Sequence, residues 1–124
     1  QISKLANQII VGLTIGAVAE AVSLCEKAGA DPTKMIKALS GGWADSKILQ
    51  THGQRMIKKD FLSKGKTSTQ LKDMNNILGC AKDSNLYLPI STLVRDMYNN
   101  LVNNGYENED HSSLYKEIER INQK

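Results

Sequence analysis

An all-α fold, a single helical domain of about six helices with a long central first helix over residues 1–124, is what this sequence predicts. Three observations carry that reading. Apolar residues recur every three to four positions in the longer segments, and no run alternates apolar and polar residues as a half-buried strand would. Glycines and prolines divide the chain into segments of helical length. Aromatics are scarce, with one Trp, one Phe and four Tyr, so the core must come from Leu, Ile, Val, Ala and Met, which suits packed helices.

The first segment, Ser3 to Ala28, contains no proline and supports one helix of about 39 Å at 1.5 Å per residue. It is apolar nearly all round, through Ile9, Ile10, Val11, Leu13, Ile15, Val18, Val22 and Leu24. Such a helix is usually central, wrapped by its neighbours or by a partner chain. A membrane span is the rival, but Asn7, Gln8 and Glu20 interrupt the run and Gly and Ala lower its hydrophobicity. Gly12 and Gly16 share a face where another helix can approach closely.

Gly29 is a suitable C′ residue to end this helix, and Asp31-Pro32 restarts one with an N-cap and a first-turn proline. That second helix runs to about Leu39 and stops at Gly41-Gly42. A third spans about Ser46 to Gly53. Residues 54–65 read as a polar, basic connection with Arg55, Lys58, Lys59 and Lys64 against Asp60. The fourth helix covers Thr67 to Ser84, with Leu71, Met74, Ile77, Leu78 and Ala81 on its apolar stripe. After a break at Asn85–Pro89, the fifth extends from Pro89 to Asn103, with Ile90, Leu93, Val94, Met97, Tyr98 and Leu101 inward. Gly105 closes it, and Asp110 caps a last helix ending near Asn122.

Composition bounds the function classes. Hydrophobic content of 40% and charged content of 23% are those of an ordinary soluble domain, which argues against disorder. A net charge of +3 is mild, and no dense basic face suggests a nucleic-acid binder. Cys25 and Cys80 lie far apart without a C-x-x-C, and read as two reduced, buried thiols of a cytoplasmic or mitochondrial-matrix protein, with one disulfide left open. The chain begins at Gln1, as a processed chain or a piece of a longer one would, and no signal peptide is recognised before the first helix.

Lys4 and Asn7 lie three apart, on one face of a helix and within reach of one small ligand. A lysine shielded from water becomes a usable proton donor and acceptor, and an asparagine beside it can orient a hydroxyl. The plain alternative is a solvated pair near a terminus. Lys72-Asp73 sits in a helix otherwise patterned for the core and reads most simply as an exposed lysine beside an acid. Gly41-Gly42-Trp43 permits a tight turn followed by the only Trp, either a core anchor or a ligand platform. His52 and His111 have no acid or cysteine at metal-ligand spacing, so no metal site is expected and both read as surface or capping residues. With no G-x-G-x-x-G or Walker loop, a dinucleotide would not be held here through the usual phosphate cradle.

Several segments occur together in order: K-L-A-N-Q-I-I-V-G at 4–12, A-E-A at 19–21, K-A-G-A-D-P at 27–32 and A-L-S-G-G-W-A-D-S at 38–46. L-K-D-M at 71–74, L-P-I at 88–90 and E-D-H-S-S-L at 109–114 follow. Together they resemble the helical C-terminal domain of the β-hydroxyacid dehydrogenases, which include 3-hydroxyisobutyrate dehydrogenase and tartronate semialdehyde reductase. The resemblance covers Lys4 to about Ile121. It implies an N-terminal Rossmann domain that binds NAD or NADP, a short hydroxy acid or oxo acid as substrate, and a homodimer. It makes Lys4 the general acid/base, Asn7 and Trp43 substrate-binding, and Lys72 a cofactor contact whose helix Asp73 supports. One departure is Ser63-Lys64-Gly65, where the family often carries Pro-Gly-Phe. By itself the helical domain is expected to be inactive.

A different class of function is a non-catalytic helical interaction module, whose basic connection from Arg55 to Lys66 would contact nucleic acid or an acidic partner. Steep salt dependence of binding would mark it. Against it stands the joint presence of Lys4, Asn7 and Lys72 and the mixing of acids through the chain.

Overall fold

The structure, a computed structural model, describes residues 1–123. Six α-helices follow one another: α1 (Ile2–Lys27), α2 (Pro32–Leu39), α3 (Lys47–Lys58), α4 (Thr67–Asp83), α5 (Pro89–Asn103) and α6 (Leu114–Asn122). A 3-10 turn, His111–Ser113, leads into α6, and no strand forms among the described residues. An isolated bridge pairs Lys66 with Asp110.

The first helix is the axis, as its all-round apolarity implies, and it touches each of the other five. By length and composition α1 would also suit a membrane span, but here Ile15, Val18, Ala19 and Val22 are buried in the shared core. Each such side chain stabilises the fold by roughly 1.5–3 kcal/mol for the larger aliphatics. A Cβ on Gly12 would lie 3.0 Å from both Gln70 Nε2 and Met74 Sδ, so the glycine lets α4 cross in contact. The burial is incomplete: Ile2, Ile10 and Leu24 face outward.

Local chemistry accounts for most boundaries. Gly29 takes φ +81° after α1, and Asp31 accepts from the amides of Thr33 and Lys34 at the start of α2. Asn85, at φ +57°, ends α4, with the Leu86 amide donating back to the Ala81 carbonyl. Gly105, at φ +93°, follows α5.

Three expectations need correction. The third helix does not stop at Gly53 but continues to Lys58, ending where Lys59 adopts φ 56°. A Cβ on Gly53 would meet Ile36 Cδ1 at 2.8 Å, so this glycine serves the contact between α2 and α3 rather than termination. On α5 the inward stripe is Ser91, Val94, Tyr98 and Leu101, and Ile90 and Leu93 point out, each more than 60% exposed. Those two sit one helical position off the stripe that meets α1 and α4. Finally, Cys25 and Cys80 are free and only half-buried.

Candidate active site

Lys4 and Asn7 stand exposed on the first two turns of α1. Asn7 Nδ2 donates to Gln8 Oε1 at 2.8 Å, and Gln8 Nε2 donates to Asp73 Oδ2 at 2.8 Å. The second bond crosses from α1 to α4. It brings Asp73, and with it the neighbouring Lys72, to the end of the bundle that carries Lys4 and Asn7. Lys72 is exposed, and among the described residues neither lysine forms an ion pair. Exposed and without an ion-pair partner among the described residues, each lysine is open to an anionic ligand.

Trp43 is not brought to these residues by any packing contact; it stands fully exposed, at 106%, which removes the core-anchor reading. Its turn is tied by hydrogen bonds nonetheless. Gly41 takes φ +79° and donates to Asp45 Oδ2 at 2.7 Å, while Gln50 Nε2 donates to Asp45 Oδ1 at 2.9 Å. The Gly41 amide foremost, with Gln50, holds the Asp45 carboxyl below its usual range. A bulky, fully exposed aromatic is apolar surface available to a partner.

Behind α4 lies an anchor that sequence reasoning missed. Asp110 is fully buried; its Oδ1 accepts from the amides of Lys64 and Gly65, and its Oδ2 from the amide and hydroxyl of Ser112. Burial alone would raise this carboxyl, but those hydrogen bonds, with Ser112 the strongest, hold it down at about 2. Thus Ser63-Lys64-Gly65, the stretch that departs from the family pattern, is fastened to the start of the 3-10 turn. The amides of Thr67 and Ser68 donate to the carbonyls of Glu109 and Glu107, so they are not open to a phosphate.

His52 and His111 belong to the same anchor, which corrects the surface reading of both. His52 is buried with Nδ1 3.7 Å from Asp110 Oδ2, and the two rings meet edge to face at 4.8 Å. Burial pushes His52 down to about 4 and lowers His111 as well, so both are neutral at neutral pH. The donor atoms of His52, Asp110 and His111 lie within 4.8 Å of one another. A metal ion there would have to displace the hydrogen bonds Asp110 already accepts and approach Arg55 Nη1, 3.6 Å from the carboxylate. The cluster therefore reads as a structural latch. Its partners are remote in sequence, and only the E-D-H-S-S segment hinted at it.

The basic connection is thinner than its sequence suggests. Arg55 donates to the Leu62 carbonyl, and Lys59 reaches Glu26 and the Tyr115 hydroxyl. That weakens the interaction-module alternative.

A family model described as NAD-binding of NADP-dependent 3-hydroxyisobutyrate dehydrogenase matches residues 1–118. The chain belongs to the β-hydroxyacid dehydrogenase family. Within that family it is 44% identical over 119 residues to 2-hydroxy-3-oxopropionate reductase of Escherichia coli, covering 96% of this chain and 41% of the relative. A probable 3-hydroxyisobutyrate dehydrogenase-like protein of Arabidopsis thaliana, described as mitochondrial, is 30% identical over 98% of the chain and 40% of its own length. A crystal structure of 3-hydroxyisobutyrate dehydrogenase from Salmonella typhimurium superposes with a TM-score of 0.87 at 25% identity, covering 93% of this chain and 40% of that one. The Mycobacterium tuberculosis 3-hydroxyisobutyrate dehydrogenase, at 18% identity and the same TM-score, shares the fold. The chain thus spans about two-fifths of these β-hydroxyacid dehydrogenases.

Proposed function

We propose that this chain is the helical half of an NAD(P)-dependent reductase of the 2-hydroxy-3-oxopropionate type, working with an N-terminal Rossmann domain. The observation that carries this is 44% identity to such a reductase across nearly the whole chain. A bound nicotinamide cofactor would supply the hydride. The residues here fit one flank of it: Lys72 offers a free cation, whereas the amides that might cradle phosphates are engaged internally. The phosphate cradle belongs to the other lobe.

In this reading Lys4 Nζ gives a proton to the carbonyl oxygen as the carbonyl carbon is reduced, and takes it back in the oxidation direction. Asn7 orients the hydroxyl, and a lobe packed over this end shields Lys4 from water. Trp43 borders the substrate pocket once that lobe is in place. The same reading makes the parent a homodimer of the cytoplasm, or of the mitochondrial matrix in a eukaryote. The exposed Ile2, Ile10 and Leu24 on α1 support a covering lobe or subunit along that helix.

Turnover of 2-hydroxy-3-oxopropionate with reduced NAD and reduced NADP by the complete protein is the test. Lys4→Ala is expected to lower kcat by about 10²–10⁴-fold while cofactor affinity stays nearly unchanged. Retained turnover in that variant sinks the role given to Lys4.

A further inference from the structure

Gln8 joins the two groups of residues that the family resemblance singles out. We propose that Asp73 and Gln8 form a polarity relay that decides which way the Asn7 carboxamide faces, and so makes the site selective for a substrate carrying a second hydroxyl. This rests on the reductase reading above.

An ionised carboxylate accepts hydrogen bonds and donates none. Facing Asp73 Oδ2 at 2.8 Å, the Gln8 carboxamide must present its amino group. Its carbonyl oxygen is then turned to Asn7, 2.8 Å from Nδ2, and only the amino group of Asn7 suits that acceptor. One carboxylate thereby orients two amides in series. The Asn7 carbonyl oxygen is left on the exposed side of α1, on the face it shares with Lys4. A hydroxyl that does not react, such as the one at C2 of a 2-hydroxy-3-oxo acid, donates to it, leaving Lys4 to handle the proton of the reacting oxygen. If Asn7 were reversed, its carbonyl oxygen would face the Gln8 carbonyl oxygen, and the substrate hydroxyl would have to accept from the amino group, its own hydrogen left without that acceptor. Gln8 and Asp73 are positioning residues, acting only through Asn7.

The test compares kcat/KM of the complete enzyme on 2-hydroxy-3-oxopropionate and on 3-oxopropionate, which lacks the hydroxyl. Asp73→Asn keeps the shape but lets either end of the new amide face Gln8. It is expected to lose about tenfold on the hydroxylated substrate, the scale of one oriented hydrogen bond, and little on the other. Gln8→Met gives the same pattern. Adding Gln8→Glu to Asp73→Asn restores most of the preference, because the carboxylate then accepts from both neighbours and Asn7 keeps its orientation. Equal losses on both substrates, or a double variant no better than Asp73→Asn alone, overturn the relay. A wild-type enzyme that reduces neither compound overturns the reductase reading itself, and the relay with it.

Discussion

Asp110 accepts from the amides of Lys64, Gly65 and Ser112 while fully buried, so one side chain sets the path of the loop before α4. Removing it leaves those donors without their acceptor, and the nearby Arg55 without its counter-charge, in a region that water cannot easily reach. Asp110→Ala is expected to destabilise the domain by on the order of 3 kcal/mol, read as a lower denaturant midpoint. Asp110→Asn keeps one acceptor oxygen and should lose less. A midpoint unchanged in Asp110→Ala would show that the loop is held by its backbone bonds alone. At this same scale the sequence offers Lys4, Asn7 and Lys72 as candidates for the roles proposed above, as family residues in a recognisable order. The hydrogen bond from Gln8 to Asp73 is not legible there, because neither the 4–12 segment nor the 71–74 segment reveals that the two meet.

Where α2 crosses α3, the absence of a side chain at Gly53 decides how near the helices come. Alanine there would gain about 1 kcal/mol of helix propensity but place its Cβ 2.8 Å from Ile36 Cδ1, inside a buried contact. Gly53→Ala is expected to destabilise by roughly 1–2 kcal/mol, since overpacking outweighs propensity. Ile36→Val removes the clashing methyl, so the double variant should be more stable than the sum of the two single changes implies. Strict additivity in a double-mutant cycle would mean the clash is relieved elsewhere. The same element shows how a glycine misleads: read alone it resembles a helix stop, and only its neighbour reveals its purpose.

Across the whole molecule, the latch of His52, His111 and Asp110 links stability to pH. Below pH 6.5 the unfolded chain protonates His52, whereas burial keeps the folded chain from doing so until about 4. Stability is therefore full above 6.5 and falls as pH drops through that window, by on the order of 3 kcal/mol for His52. His111, lowered by burial, acts in the same direction. Asp110 adds a further loss as pH falls from 3.8 toward about 2, where its hydrogen-bonded carboxylate is finally protonated. Urea unfolding at a series of pH values should show this slope, and His52→Gln should flatten its upper part. A slope the variant leaves untouched would assign the effect to other groups.

Most helix boundaries and the family can be read from the chain alone. The apolar stripes of α1 and α4, the Asp31-Pro32 start, Gly29 and Gly105 are signals that act within a few residues of one another, through hydrogen bonds and steric limits local to the chain. Whatever depends on which faces meet comes from packing between helices. That packing turned Ile90 and Leu93 outward, carried α3 through Gly53, buried His52 beside Asp110 and joined Gln8 to Asp73. Each of those outcomes rests on a partner remote in the chain, and periodicity along one helix cannot say which neighbour will cover which side.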